Sequence, residues 1–248
     1  MLFRSLKYLV DQCHQAGIGV ILDWVPLHFC KDAHGLYQFD GSWLYDYPNE
    51  YDRENRQWGT ANFDLGKGLT RSFLLSNLKY WLEEFHFDGI RVDALSYLLY
   101  WRGETEEEKL NHAAIDFIKR VNAMVHQEYK GVVMIAEDSS SYPKVTHPLE
   151  YGGLGFDMKW DLGWMNDTLK YMSRPAIYRP YHGNEITFGM FYNPNEHYLL
   201  PLSHDEVVHG KLSIVNKMDG NYEDKFHLAR AYYSFFFAHP GKKLLFMG

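Results

Sequence analysis

The alternation of short apolar runs with longer amphipathic stretches is the feature that most constrains the fold of this 248-residue chain. Six runs have the length of strands, near residues 18–23, 88–93, 132–137, 156–160, 198–203 and 243–247. Helical spacing of apolar residues predicts helices over 2–16, 70–85, 109–129, 165–172 and 223–238. Thr70 is the expected N-cap of the second helix, and a long polar and aromatic loop is predicted over residues 24–69. Strands that are apolar throughout need cover on both faces, so the pattern predicts a parallel sheet with helices outside it. A (β/α) barrel and an open doubly wound sheet both satisfy this prediction.

Composition narrows the classes of partner. The chain carries 25 Lys and Arg against 32 Asp and Glu, a net charge of −7, which argues against nucleic acid. No apolar run approaches the roughly 20 residues of a membrane-spanning helix, so no membrane association is expected. The two cysteines, Cys13 and Cys30, are expected to be reduced thiols, which indicates a cytoplasmic protein. An aromatic content of 17% favours flat ligands such as sugars. The aromatic residues in or next to the long loop after the first acid strand are expected either to stack on glucose rings or simply to pack the loop; they are Trp24, Tyr37, Phe39, Trp43, Tyr45 and Tyr47.

Four of the predicted strands end in an acidic residue. These acids are Asp23, Asp93, Glu137 and Asp205. Because the carboxyl ends of parallel strands meet at one edge of a sheet or barrel, we expect the four carboxylates to converge there. The alternative is that each acid caps the helix or turn that follows its strand. Four acids at the same structural position favour a site over four separate caps.

A cluster of carboxylates suits glycoside cleavage, in which one acid is the nucleophile and a second is the general acid and base. Arg91 precedes Asp93 by two residues and faces the same way, so it is expected to keep Asp93 ionised as a nucleophile or to form a structural salt bridge. Glu137 ends an apolar run, where burial would raise its pKa as a general acid requires. His28 and His204 flank the acids and are expected to bind sugar hydroxyls.

A metal site is the alternative from a different class. His204 and His209 are five residues apart, which does not match the helical spacing of a zinc H-E-x-x-H motif. A metallohydrolase of barrel fold, with ligands at the strand ends, stays open at this point.

Four short motifs, DWVPLH, GIRVDA, AED and LSHDE, resemble the four sequence regions of the α-amylase superfamily of glycoside hydrolases, in the same order. Longer stretches, among them KDAHGLYQFDG, GGLGFDMKWDLGWMNDTL and AHPGKKLLFMG, resemble the 1,4-α-glucan branching enzymes. The chain departs from that pattern at Leu27 and Cys30, where a Gly and a Pro are usual.

The resemblance implies a role for each candidate residue. Asp93 would be the nucleophile, Glu137 the acid and base, and Asp205 the residue that stabilises the transition state. Four further residues, Asp23, His28, Arg91 and His204, would line the subsite around the cleaved bond. The implied reaction cleaves an α-1,4 bond and transfers the chain to a 6-hydroxyl of an α-1,4-glucan. No cofactor or metal is required, and a monomer is expected.

Three alternatives accompany this interpretation. A retaining hydrolase or debranching relative would use the same carboxylates, because hydrolysis and transfer differ only in the acceptor. A catalytically inactive glucan-binding fragment and the metallohydrolase are the others.

The family barrel has eight strands, whereas six are predicted here. The resemblance therefore implies that residues 1–248 form an incomplete (β/α)8 TIM barrel, part of a catalytic domain. The family's first two strands, its N-terminal carbohydrate-binding domain and its C-terminal β-sandwich domain would lie outside this chain. The hypothesis is that the chain is a fragment of a longer protein.

Overall fold

The computed structural model describes residues 2–246, and the chain divides into two compact units, Met1–Asp157 and Met158–Gly248. The first unit contains α1 (Leu2–Gln15), β1 (Ile21–Trp24), β2 (His28–Phe29), α2 (Glu50–Arg53), β3 (Glu54–Asn55), β4 (Thr60–Asn62), α3 (Gly68–Phe85), β5 (Gly89–Val92), α4 (Leu95–Leu99), α5 (His112–Glu128) and β6 (Val133–Ala136). The second contains β7 (Met158–Trp160), α6 (Leu162–Ser173), α7 (Asn184–Thr187), α8 (Gly189–Tyr192), β8 (Tyr198–Leu202), α9 (Ile214–Lys217), α10 (Tyr222–Ala238) and β9 (Lys242–Leu245).

Three parallel strands form the centre of the first unit, in the order β1, β5, β6. Asp23 lies opposite Arg91, and Arg91 lies opposite Ile135, so the polar ends of the strands are in register. The core contains buried residues of these strands and of α3 and α5, among them Leu78, Leu82, Ile90, Val92, Phe117, Ile118, Val121, Met134 and Ala136. The predicted parallel sheet with amphipathic helices packed against it is therefore present in this unit.

Helix α3 begins earlier than its sequence pattern predicts. Thr70 is the expected N-cap, but the cap position is held by Lys67 and the helix begins at Gly68. The Thr70 hydroxyl instead donates to the carbonyl oxygen of Tyr45 at 3.1 Å. This long-range contact satisfies the hydroxyl inside the first turn, so the local preference of threonine for a cap does not decide the boundary.

The segment of residues 24–69, predicted as a long loop, contains a small antiparallel sheet of order β2, β4, β3. His28 pairs with Asn62, and Glu54 pairs with Ala61. Strands of two or three residues are too short to produce an alternating pattern, which is why the sequence does not reveal them. The sheet fixes the position of His28.

The second unit has three parallel strands in the order β7, β8, β9. Its core is aromatic, with Trp164, Tyr232 and Phe236 buried, and the hydroxyls of Thr168 and Tyr232 lie 3.0 Å apart. The last predicted strand, residues 243–247, is observed as Lys242–Leu245. Its predicted terminal residue, Met247, lies outside the described residues.

Strand β8 forms despite Pro201, which weakens the strand prediction because proline cannot donate a ladder hydrogen bond. The N–H of Asp161 donates to the carbonyl oxygen of Leu199 at 2.9 Å, and β7 itself ends at Trp160. Pro201 lies two residues beyond Leu199, past the end of β7. The N–H that proline lacks therefore interrupts no hydrogen bond between β8 and β7. No helix among residues 2–246 is long and apolar enough to cross a membrane.

Candidate active site

The guanidinium of Arg91 is the centre of a cluster of acids in the first unit. Its Nη1 lies 2.6 Å from Asp23 Oδ1 and 2.6 Å from Asp93 Oδ1. Its Nη2 lies 3.4 Å from Glu137 Oε2. The Arg91 side chain is only 8% exposed. One buried cation thus holds three of the four predicted strand-end carboxylates together, and the alternative of three separate helix caps does not describe them.

Backbone hydrogen bonds continue past the ends of the strands and hold these acids side by side. The Asp93 N–H donates to Trp24 O at 3.0 Å, and the Glu137 N–H donates to Val92 O at 3.0 Å. The Leu95 N–H then donates to Glu137 O at 2.8 Å. Both carboxylates are therefore carried by rigid parts of the sheet, as a preorganised site requires.

A sharp turn follows Asp93. Ala94 has φ 49° and ψ 44°, the left-handed conformation that is unfavourable for a residue with a Cβ. Its N–H donates to Glu137 Oε2 at 2.6 Å. Strained backbone of this kind persists where the surroundings over-determine it, often at functional sites. Here the turn directs the Ala94 N–H at the carboxylate of Glu137. The same turn follows the strand that carries Asp93.

Burial and the cation act in opposite directions on Asp93. Burial raises the pKa of the Asp93 carboxyl, the attraction of Arg91 lowers it, and the net pKa lies above the ordinary value. The sequence predicts a carboxyl kept ionised by Arg91, because the neighbouring cation is visible in the sequence and the burial of Asp93 is not. Burial also lowers the pKa of Arg91, but hydrogen bonding to Asp23 and attraction by Glu137 and Asp93 outweigh it and raise the pKa overall.

His28 lies near this cluster, as the sequence predicts. Burial lowers the pKa of His28, and the attraction of Asp93 only partly offsets it. The imidazole stacks on the indole of Trp58, with ring centroids 5.0 Å apart and planes 19° from parallel. A lowered pKa leaves His28 neutral at pH 7, so its ring can both donate and accept hydrogen bonds.

His204 and Asp205 lie in the second unit, in the single turn His204–Glu206 that follows β8. The Asp205 N–H donates to Ser203 Oγ at 3.3 Å. His204 Nε2 lies 3.3 Å from Asp205 Oδ1, and both side chains are about half exposed, at 49% and 48%. The first unit therefore gathers Asp23, His28, Arg91, Asp93 and Glu137, and the second places the other two predicted residues together at the end of its central strand.

The aromatic residues differ from the sequence expectation. Trp24, considered a candidate for stacking on sugar, is buried and donates its Nε1–H to Asn77 Oδ1 at 3.0 Å. Tyr45 packs against Phe73. Trp58, which the sequence argument missed, is 41% exposed and lies against His28. A lone tryptophan in a polar stretch gives no periodic signal in the sequence. The position of Trp58 becomes clear only from its contact with His28 in the folded structure.

No group of three or more His, Cys, Asp or Glu side chains suited to a metal ion occurs within the described part of the chain. The three acids of the first unit are instead joined to a guanidinium, which already supplies the positive charge.

Comparison with known proteins identifies relatives of the chain. The chain is 57% identical over 245 residues to the 1,4-alpha-glucan branching enzyme GlgB of Bacillus caldolyticus, a match that covers 99% of this chain and 37% of that enzyme. It is 56% identical to the enzyme of the same name from Geobacillus stearothermophilus, over 99% of this chain and 38% of that enzyme. Over almost its whole length the chain is a homologue of 1,4-alpha-glucan branching enzymes. It spans a little over a third of the length of these curated relatives. No family model matches the chain.

Solved structures agree on the fold. The alpha-amylase of Geobacillus thermoleovorans, solved in complex with acarbose, matches 99% of this chain and 53% of its own with a TM-score of 0.69 at 18% identity. A cyclomaltodextrinase matches 99% of this chain and 41% of its own with a TM-score of 0.66 at 18% identity. At these identities the match speaks for the fold alone, and it confirms the predicted incomplete (β/α)8 barrel.

Proposed function

We propose that this chain is the catalytic part of a glucan branching transferase that acts on α-1,4-glucans such as glycogen or amylose. The observation that carries the proposal is the contact of one buried guanidinium, that of Arg91, with both Asp93 and Glu137 at neighbouring strand ends. Relatives at 55% to 57% identity bear the name 1,4-alpha-glucan branching enzyme, which supports transfer over hydrolysis.

In the first displacement Asp93 is the nucleophile. One of its carboxylate oxygens attacks the anomeric carbon, and the bond from that carbon to the 4-oxygen of the leaving glucan breaks. Glu137, protonated, gives its proton to the leaving oxygen. The products are a covalent glycosyl ester on Asp93 and an ionised Glu137.

In the second displacement Glu137 acts as the base. It takes the proton of a glucan 6-hydroxyl, whose oxygen attacks the anomeric carbon and releases the Asp93 carboxylate. Two inversions retain the anomeric configuration, and the new bond is an α-1,6 branch. Arg91 contacts both carboxylates, so it balances their charge as a negative charge alternates between them.

The remaining candidates bind the sugar at the cleaved bond. We infer that Asp205 stabilises the oxocarbenium-like transition state through its negative charge. Asp23, whose side chain is half exposed beside Arg91, and His28 would bind ring hydroxyls, as would His204. The acceptor, the transferred chain and the donor are then all α-1,4-glucan.

Product analysis tests transfer against hydrolysis. Purified protein incubated with amylose should remove iodine colour with few new reducing ends, and Asp93→Asn should remove none. A rise in reducing ends that matches the loss of colour would mean a hydrolase and contradict the proposal. Loss of turnover on treatment with a chelator would favour the metallohydrolase.

We also propose that residues 1–248 belong to the catalytic barrel domain of a longer branching enzyme. The share of about 37% that the chain covers in its relatives supports this. A cytoplasmic location is part of the proposal, supported by two cysteines that are both free, Cys13 and Cys30. Size-exclusion chromatography with light scattering would test the expected monomer.

A further inference from the structure

A cavity of about 200 Å³ lies beside the antiparallel sheet of the first unit. It is lined by Leu27, Tyr51, Glu54, Asn55, Arg56, Gln57, Asn62, Tyr97 and Arg102. None of the strand-end acids lines it. Complete ligand sites typically measure about 300–1,000 Å³, so this cavity has the size of one subsite within a larger binding surface.

The lining combines the two kinds of group that bind sugars. Tyr51 and Tyr97 offer aromatic rings, against which the C–H face of a sugar ring packs. Three amide side chains, those of Asn55, Gln57 and Asn62, offer planar donors and acceptors to hydroxyls. The carboxylate of Glu54 is already paired with Lys31. Arg56 and Arg102 also line the cavity, and the Arg102 guanidinium lies over the ring of Tyr51. The rings and amides together suit a hydroxylated ligand.

The amides divide into fixed and available groups. Asn55 Nδ2 donates to Asn62 Oδ1 at 3.1 Å, and Asn62 Nδ2 donates to Asp52 O at 2.9 Å, so these two hold the shape of the wall. Gln57 accepts a hydrogen bond from the Tyr97 hydroxyl. Its Nε2 makes no hydrogen bond within residues 2–246 and is positioned by this contact. Gln57 is thus an oriented donor at the rim.

A continuous series of rings joins the cavity to the candidate active site. His28, whose pKa is partly raised by the negative charge of Asp93, stacks on Trp58. The Trp58 ring lies 4.8 Å from that of Tyr97, centroid to centroid. Tyr97 is also on α4, four residues after Asp93. Tyr97 is therefore positioned by the short helix that follows Asp93 and by the rings that lead to His28.

We propose that this cavity is an accessory glucan subsite, in which Tyr51, Gln57 and Tyr97 bind a glucosyl unit of the chain at a distance from the bond that Asp93 attacks. The inference rests on the proposed function. It predicts that the contribution of the cavity is seen only with glucans long enough to reach it.

Ligand length is the test. Binding of maltotriose and maltoheptaose is measured by calorimetry on the purified protein carrying Asp93→Asn, which prevents turnover. Tyr51→Ala and Gln57→Ala are added singly, and Tyr151→Ala is the matched control because Tyr51 and Tyr151 are both 68% exposed. Both cavity variants should weaken maltoheptaose binding roughly 3- to 10-fold, in line with a lost aromatic or hydrogen-bonding contact, while Tyr151→Ala should not.

Each outcome decides between the two proposals. Unchanged maltoheptaose binding in both cavity variants would overturn the accessory subsite and leave the proposed function standing. If the binding of maltotriose and of maltoheptaose were weakened equally, these residues would belong to the subsite at the cleaved bond. That result would also overturn the accessory subsite. If the parent protein bound neither glucan, the proposed function would fail and the subsite with it. Exposed positions were chosen so that the variants keep the fold, which circular dichroism verifies.

Discussion

Asp93 and Asp161 occupy the same position in the two units, directly after a parallel strand, yet their contacts and their exposure to solvent differ. Asp93 contacts the guanidinium of Arg91, and its side chain is 27% exposed. Asp161 is 2% exposed, and its Oδ1 accepts from the Trp164 N–H at 2.8 Å as the N-cap of α6. The Tyr192 hydroxyl also donates to that oxygen at 2.8 Å.

A strand-end acid alone therefore does not identify a site. Asp161 Oδ1 accepts from one backbone N–H and one hydroxyl, and the side chain is almost fully buried, which is the arrangement of a structural cap. Asp93 shares its cation with two other acids and retains an exposed edge. Exposure together with a shared cation distinguishes the candidate catalytic acid from the cap.

The largest effect is expected when both acids are replaced by their amide. Asp93→Asn removes the nucleophile, so we expect turnover of amylose to fall by on the order of 10⁴-fold or more. Asp161→Asn keeps an oxygen that can cap α6, so its turnover should stay within about twofold of the parent protein. The measurement is the initial rate of iodine-colour loss. Comparable rates for the two variants would abolish the distinction between the acids.

A second pair of variants compares the cations of the two units. Arg91→Leu leaves three carboxylates without their shared cation, so we expect the free energy of unfolding to fall by about 3 kcal/mol or more. Arg174 binds Glu185 through two nitrogens, at 2.8 and 2.6 Å, but Lys170 lies 3.4 Å from the same carboxylate. Arg174→Leu should therefore cost only about 1 kcal/mol.

Urea unfolding followed by circular dichroism measures both variants. The comparison is contradicted if Arg174→Leu destabilises the protein as much as Arg91→Leu, because the shared cation of the first unit would then have no special weight.

The cap itself is tested by truncation. Asp161→Ala removes the acceptor of the Trp164 N–H and leaves the half-buried Tyr192 hydroxyl without this partner, so we expect a loss of about 1–2 kcal/mol. Thermal unfolding measures it. Ser203 is a matched control, since Ser203→Ala removes a cap acceptor for only one long contact of 3.3 Å and should cost less. A smaller loss for Asp161→Ala than for Ser203→Ala would refute the assignment of Asp161 as the stronger cap.

The sequence predicts the first-unit site well because each of its elements leaves a local signal. Asp23, Asp93 and Glu137 follow apolar runs, and the two-residue spacing of Arg91 and Asp93 places both side chains on one face of a strand. Pairing of parallel strands then brings them together, and no loop geometry is needed. The six strand positions follow from the same apolar runs.

Other features depend on contacts between distant residues and leave no such signal. The antiparallel sheet exists because His28 pairs with Asn62, 34 positions along the chain. Trp58 and Tyr97 acquire a role only once that sheet and α4 are formed. The net pKa of Asp93 depends on burial, which the neighbouring arginine in the sequence does not reveal.

The smallest expected effect concerns a property that the two acids share, since burial raises the pKa of both the Asp93 and the Asp161 carboxyl. A folded-state pKa above the unfolded value means that folding favours the neutral acid, so the parent protein loses stability as the pH rises from about 3.8 through the folded pKa. Asp93→Asn and Asp161→Asn lack this titration. The stability of each variant relative to the parent should therefore increase as the pH rises above about 3.8, and level off once the carboxyl of the parent is fully ionised. Urea unfolding of the parent and the two variants at each pH measures this difference. A relative stability that is constant across this range would mean that burial does not govern the two carboxyls, and the contrast between them would then lie in Arg91 alone.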